Sequence, residues 1–281
     1  MIRNRRAFIV GIKSTTLSKK EKTFLKKYKP WGVILFSRNI KKFKQIKKLT
    51  SDLRLIFKDK KYPILIDQEG GRVNRLNNLI EASIFTAEYF GNLYKKNRSK
   101  FFNYYKVYIS QVSYLLNEIG ININTVPVLD VRKSKSSNII GDRSYSSIPK
   151  NVSKIGDLCI EQFNKGRIAT VIKHIPGHGL ARVDSHKKTP VVKYKDKYLF
   201  KNDFSSFKRK NTFFAMTAHV IYKDIDPINT ATHSPKIIKL IRSKIGFKNL
   251  IISDDISMKA LKNTIKINTL KAISAGCNLI L

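Results

Sequence analysis

Three of the five histidines in this sequence fall within the run Lys173-His174-Ile175-Pro176-Gly177-His178-Gly179-Leu180-Ala181-Arg182-Val183-Asp184-Ser185-His186. A carboxylate two residues before an imidazole on a loop can hold the ring in one orientation and raise its basicity, so Asp184 and His186 read as a general acid/base pair. His174 and His178, four apart, could join Asp184 and His186 as metal ligands only on a helix. Pro176, Gly177 and Gly179 oppose a helix there, and no metal is expected. A second run, Ile251-Ile252-Ser253-Asp254-Asp255-Ile256-Ser257-Met258, closes an apolar stretch with two acids. A carboxylate at such a point can be a nucleophile, a metal ligand or the cap of a following helix. A third, Ile66-Asp67-Gln68-Glu69-Gly70-Gly71-Arg72-Val73-Asn74-Arg75, joins acids and arginines through two glycines that permit close backbone approach. In Gly141-Asp142-Arg143-Ser144-Tyr145, Arg143 either binds a ligand oxygen or pairs with Asp142.

Short apolar stretches rich in β-branched residues precede most of these runs. They cover 7–12, 32–36, 64–67, 121–129, 169–174, 213–220, 250–254 and 277–281. Continuous apolar strands, buried on both faces and separated by helical patterns, predict a parallel sheet covered by helices rather than a sandwich. Between 101 and 119, Tyr105, Tyr108, Ile109, Val112, Leu115, Leu116 and Ile119 share one helical face, and Gly120 stands where a left-handed cap belongs. Ser234-Pro235 predicts an N-cap and first turn, after which Ile237, Ile238, Ile241 and Ile245 form a stripe that stops before Gly246. Helices are also expected over 151–165 and 18–28. Eight strand units in 281 residues predict one (β/α)8 barrel, C-terminally incomplete because no helix follows the eighth strand at Leu281.

Against 19 acidic residues stand 56 Lys and Arg, a formal charge of +37. Such a charge alone would point to a polyanionic partner. The lysines are spread singly among Ile and Asn, however, with no basic stripe carrying interleaved aromatics, so no nucleic-acid partner is expected. Pairs such as Lys41-Lys42 and Lys47-Lys48 read as the wet face of a helix whose apolar side carries Ile46, Leu49, Leu53 and Ile56. Cys159 and Cys277 lie far apart without ligand-like spacing, which predicts neither a disulfide framework nor a zinc knuckle. No apolar run reaches the length of a membrane span, so a cytoplasmic protein is expected.

Five runs together resemble the bacterial β-N-acetylglucosaminidases of glycoside hydrolase family 3. They are Asp67 to Val73, Gly141 to Ser144, Lys173 to His186 with Thr189-Pro190, Ala218-His219-Val220, and Ser253 to Met258, in family order over nearly the whole chain. The resemblance implies a single TIM-like barrel domain over residues 1–281 of that family's N-terminal type. It further implies a retaining exo-β-N-acetylglucosaminidase without cofactor, acting as a monomer on GlcNAc-containing muropeptide or disaccharide fragments in cytoplasmic peptidoglycan recycling. Carried over by position, Asp254 matches the nucleophile, His186 the acid/base and Asp184 the residue that orients it. Asp67, Arg75, Arg143, Lys173 and His174 match the residues that hold the sugar. A neutral imidazole would not repel an anionic acceptor, so phosphate in place of water is an alternative, as is a degenerate glycan-binding barrel. Ile175 and Thr217 depart from the residues usual in the family at those positions, with consequences for packing more than for chemistry.

Overall fold

The computed structural model describes residues 4–133, 138–185 and 187–281. The first half contains β1 (Arg6–Gly11), α1 (Lys19–Tyr28), β2 (Pro30–Leu35), α2 (Phe43–Phe57), β3 (Ile64–Ile66), α3 (Ala87–Lys96), α4 (Arg98–Glu118), β4 (Ile123–Asn124) and α5 (Pro149–Lys165). The second half contains β5 (Ala169–Ile175), β6 (Val191–Val192), α6 (Asp196–Lys201), β7 (Phe214–Thr217), β8 (Ile221–Tyr222), α7 (Pro235–Leu240), β9 (Leu250–Ile252) and α8 (Ile265–Ala275). Among the described residues, seven strands form a parallel sheet in the order β1-β2-β3-β4-β5-β7-β9, and β6 pairs with β8 in a separate two-stranded ladder.

Caps that are legible in the sequence set the helix ends. Ser18 and Glu21 close a capping box at α1, the Ser18 hydroxyl accepting the Glu21 amide at 3.2 Å while the Glu21 carboxylate accepts the Ser18 amide at 2.8 Å. The Ser234 hydroxyl accepts the Ile237 amide at 3.2 Å. The helix it caps continues through one π-helical turn, Ile241–Ile245, and stops at Gly246. Along α2, Ile46, Leu49 and Leu53 are buried whereas Lys44, Lys47 and Lys48 are exposed, the wet face expected of that lysine-rich stretch.

Strand alternation separates two apolar cores. Ile9, Ile34, Leu65, Ile123, Val171 and Phe214 cluster on one face of the sheet with Met216, Ile252 and Leu279, and Trp31 packs edge-on against Phe214. Val33, Leu35, Ile64, Ile66 and Ile172 face the helices. Burial on both faces explains why these strands read as continuous apolar runs.

Two expectations change. The strand foreseen over 121–129 shrinks to two residues, because Pro127 has no N–H to donate and only Val128 makes a further bridge, to Lys173. The eighth strand, foreseen over 277–281, is not a strand. Leu279 bridges Ile252 and Ile280 bridges Phe8, both parallel. The Ile9 amide donates to the Ile280 carbonyl at 2.7 Å, and the Ser253 amide to the Leu279 carbonyl at 2.9 Å. The Asn278 side chain accepts the Ile251 amide at 2.8 Å, so a side-chain oxygen replaces a ladder carbonyl and regular pairing stops. Both edges of the seven-stranded sheet are thereby tied to the same two residues. Cys159 and Cys277 are both buried and free.

Candidate active site

The carboxyl ends of the strands open into one cavity of about 370 Å³. Asp67, Arg75, Arg143, Lys173, His174 and Asp254 all line it, so the structure brings together six of the eight residues singled out from the sequence. Asp184 lies on the neighbouring loop, half-buried, its carbonyl accepting the amides of Lys187 and Lys188 at 3.0 Å each. His186 lies outside the described residues.

Asp67 directly follows β3 and Lys173 sits within β5. The Lys173 ammonium is nearly enclosed and reaches Asp67 Oδ1 at 2.9 Å, Glu69 Oε1 at 2.6 Å and Thr125 Oγ1 at 2.9 Å. Thr125 in turn donates to Asp67. Burial opposes charge on Asp67, but Lys173 and the Thr125 hydroxyl hold its carboxyl below the usual range. Burial likewise opposes charge on Lys173, and Asp67 and Glu69 more than offset it, raising the ammonium above its ordinary value.

The turn after Asp67 is built by the two glycines. Gly70 has φ 89° and Gly71 φ 56°, and a Cβ on Gly70 would overlap the Phe85 carbonyl. The Glu69 amide donates to the Val73 carbonyl at 3.1 Å, which turns the chain so that Arg75 comes back over the cavity. Gln68 fixes that return, its Oε1 accepting the Arg75 amide at 2.9 Å and the Leu76 amide at 3.1 Å. The Arg75 guanidinium then stands 3.7 Å from Asp67 Oδ2 and over the Phe36 ring.

Arg143 settles the choice its own sequence leaves open. It does not pair with Asp142, which meets Arg72 at 2.8 Å. Instead it forks onto Glu69, Nε to Oε2 at 2.7 Å and the second nitrogen to Oε1 at 2.8 Å. Burial opposes charge on Glu69, and Arg143 and Lys173 together drive its carboxyl far below the usual range. Glu69 stands inside the Asp67 run, where nothing local sets it apart from its neighbours; its role is carried by Arg143 and Lys173, distant in sequence.

Asp130 was missed altogether. Fully buried after β4, it accepts the His174 amide at 3.2 Å and the His178 amide at 2.7 Å on Oδ1, and His174 Nδ1 at 2.6 Å on Oδ2. With Nδ1–H given to Asp130, His174 keeps Nε2 for the cavity it lines. His178 is pushed down to about 4 by burial and by its neighbour His174, so its ring is neutral at pH 7. Only Asp130's place at the end of an apolar stretch could have flagged it.

Asp254 follows β9, and its Oδ1 accepts the Asp255 amide at 2.9 Å. Burial opposes its charge, but His219, His174 and that amide hold the carboxyl below its ordinary value, so it is ionised at neutral pH. His219 Nε2 lies 3.0 Å from the Asp255 carbonyl and Nδ1 lies 2.7 Å from Thr232 Oγ1. A carbonyl can only accept, so Nε2 carries the hydrogen and Nδ1 accepts from Thr232. His219 is thereby a fixed prop for the Asp254–Asp255 turn.

An ionised carboxylate at the strand ends, facing a set of buried and oriented cations, carboxylates and an imidazole, is equipped to bind a polyhydroxylated ring and attack it. Among the described residues, no group of three His, Cys, Asp or Glu side chains is arranged to hold a metal ion. Residues 6–281 match the family described as "Glycosyl hydrolase family 3 N terminal domain", and the chain belongs to that family. A "Beta-hexosaminidase" of Nitrosomonas eutropha is 31% identical over 97% of this chain and 79% of its own length. The "Beta-hexosaminidase" of Actinobacillus succinogenes is 32% identical over the same shares. Among solved structures, NagZ from Neisseria gonorrhoeae in complex with N-trifluoroacetyl-D-glucosamine superposes with a TM-score of 0.87 at 28% identity, over 99% of this chain and 81% of that one.

Proposed function

We propose that this chain is a retaining exo-β-N-acetylglucosaminidase that removes terminal N-acetylglucosamine from cell-wall muropeptide or disaccharide fragments in the cytoplasm, as a monomer. Its residues 1–281 act as one (β/α)8-type domain in which Leu279–Ile280 serve as the eighth rung. The observation that carries the reading is the cavity itself. Asp254 and the Asp67–Lys173–Glu69–Arg143 network line it together at the carboxyl ends of the strands, where barrel enzymes keep their chemistry. The names of the relatives and of the NagZ neighbour point to the same sugar.

In this reading Asp254 attacks the anomeric carbon while His186 protonates the departing oxygen, giving a covalent glycosyl-enzyme. His186 then takes a proton from water, whose oxygen displaces Asp254 with net retention. Asp184 holds His186 in register and favours its protonated form. Asp67 and Arg75 are placed for sugar hydroxyls, with Lys173, Arg143 and His174 around them. Their mutual ion pairs fix these groups before substrate arrives, which favours hydrogen bonds that tighten as charge develops at the anomeric carbon. No cofactor takes part.

The test is hydrolysis of an aryl β-N-acetylglucosaminide with NMR detection of the first product anomer. The expected result is the β-anomer first, with Asp254→Ala slower by about 10³-fold or more. No hydrolysis from a chain that circular dichroism shows to be folded would overturn the reading in favour of a glycan-binding barrel. A sugar phosphate formed on adding phosphate would make phosphate, in place of water, the acceptor.

A further inference from the structure

We infer that Asp203 is a positioning residue for acid/base catalysis, the floor on which the loop leading to Asp184 and His186 is set. The inference rests on the assignment of that pair as the acid/base. Asp203 opens a short 3-10 turn, Asp203–Phe207, and is fully buried. Its Oδ1 accepts the Val131 amide at 3.2 Å from the segment after β4, and its Oδ2 accepts the Leu180 amide at 3.3 Å from the loop after β5. One carboxyl group, pushed up to about 7 by burial and the neighbouring Asp130, thus staples two strand-end segments through their backbones.

The loop is shaped to receive it. A Cβ on Gly177 would lie 2.6 Å from Asp203 Cγ, and one on Gly179 would overlap the Val131 carbonyl first and lie 2.8 Å from Asp203 Oδ1. Gly177 also has φ 145°, a conformation that side-chain-bearing residues rarely adopt. Gly177 is therefore the imprint of the Asp203 carboxyl group, and Gly179 lets the loop pack against both that group and the Val131 main chain it holds. Three further bonds hold the same stretch. The Tyr222 hydroxyl donates to the Gly177 carbonyl, the His178 amide donates to Asp130, and the His178 ring reaches Ser185 Oγ at 3.3 Å. Ser185 stands next to Asp184 in the chain, so the hold on Leu180 and His178 extends to the segment that carries the acid/base pair.

Both Asp203 oxygens accept N–H groups arriving from different segments. An asparagine can satisfy one of them and must turn its own N–H₂ toward the other. Asp203→Asn consequently releases one side of the staple while preserving volume. Misplacement of a catalytic group by about 1 Å costs about 10²-fold. The loss falls only on reactions that need the acid.

The experiment compares kcat/KM for 2,4-dinitrophenyl and 4-methoxyphenyl β-N-acetylglucosaminides in wild type, D203N and H186A, with melting temperatures alongside. The expected result is that D203N slows the 4-methoxyphenyl substrate by about 10²-fold and the activated one by less than about threefold, matching the direction of H186A. Equal losses on both substrates in D203N, with the split intact in H186A, would overturn the inference and leave the acid/base assignment standing. Absence of a split in H186A would overturn both. Should D203N fail to fold, Tyr222→Phe, which removes only the donor to Gly177, is expected to give about a tenfold split in the same direction, and equal losses there would overturn the inference.

Discussion

Replacing Lys173 by Met keeps the length of the side chain and removes the charge that two buried carboxylates share. The Lys173 side chain is 3% exposed and Glu69 7%, with ion-pair distances of 2.9 Å to Asp67 and 2.6 Å to Glu69. Removing one partner of a buried pair costs about 3–5 kcal/mol, because the remaining charge is left desolvated. Unfolding entropy for 281 residues is about 0.6 kcal/mol per degree, so the melting temperature is expected to fall by about 5–8 °C. The dependence on pH identifies the cause. Asp67 and Glu69 titrate below their ordinary range in the folded protein, so their stabilisation is complete above about pH 4.3 and is lost as the pH falls through the lower folded values. Lys173 titrates above its ordinary value, so its contribution is present below about pH 10.4 and is lost as the pH rises beyond it. The gap between wild type and K173M, read by scanning calorimetry or thermal circular dichroism, is therefore widest near neutrality and closes toward both extremes. A gap under about 2 °C at pH 7, or one unchanged between about pH 7 and pH 3, would refute the argument.

Arg143→Lys retains charge but loses the fork onto Glu69, and is expected to destabilise by about 2 kcal/mol and to raise KM more than it lowers kcat, measured by urea unfolding and steady-state kinetics. Gly91→Ala is expected to destabilise by about 2–4 kcal/mol despite the higher helix propensity of Ala, since its Cβ would overlap the Tyr145 carbonyl against which α3 packs; urea unfolding reads the loss, and an unchanged midpoint would refute the packing argument.

The sequence made some features legible because their causes are local. The helix over 18–28, the Ser234–Pro235 signal, the α2 stripe and most of the apolar strands depend on neighbours within a few residues, and these appear where the spacing predicts them, whereas the runs over 121–129 and 277–281 do not. The residues of the site were legible as residue types at strand ends, and six of them line one cavity. Their pairings were not. Arg143 finds Glu69 across 74 positions and His174 finds Asp130 across 44, and nothing near either residue specifies a partner so distant. Asp203 sits in a polar stretch with no motif of its own, and its role emerges only from the amides of Val131 and Leu180 that converge on it. The eighth rung misled for a similar reason, since the Asn278 side chain substitutes for a backbone partner in a way that hydrophobic pattern does not encode.

The ties of Leu279 and Ile280 to β9 and β1 also bear on how the chain folds. Ile280 bonds to Ala7 and Ile9, residues separated from it by nearly the whole sequence. A chain made from its amino terminus keeps the outer edge of β1 unpaired until Leu279 and Ile280 have been made, and the contact that covers that edge cannot form earlier. The cost of closing so long a loop grows only logarithmically, but it must be met before the contact rewards it. Native pairing of β1 on both sides therefore waits for a contact about 270 residues away, and the apolar strand Ala7 to Val10 is exposed to wrong partners until it forms.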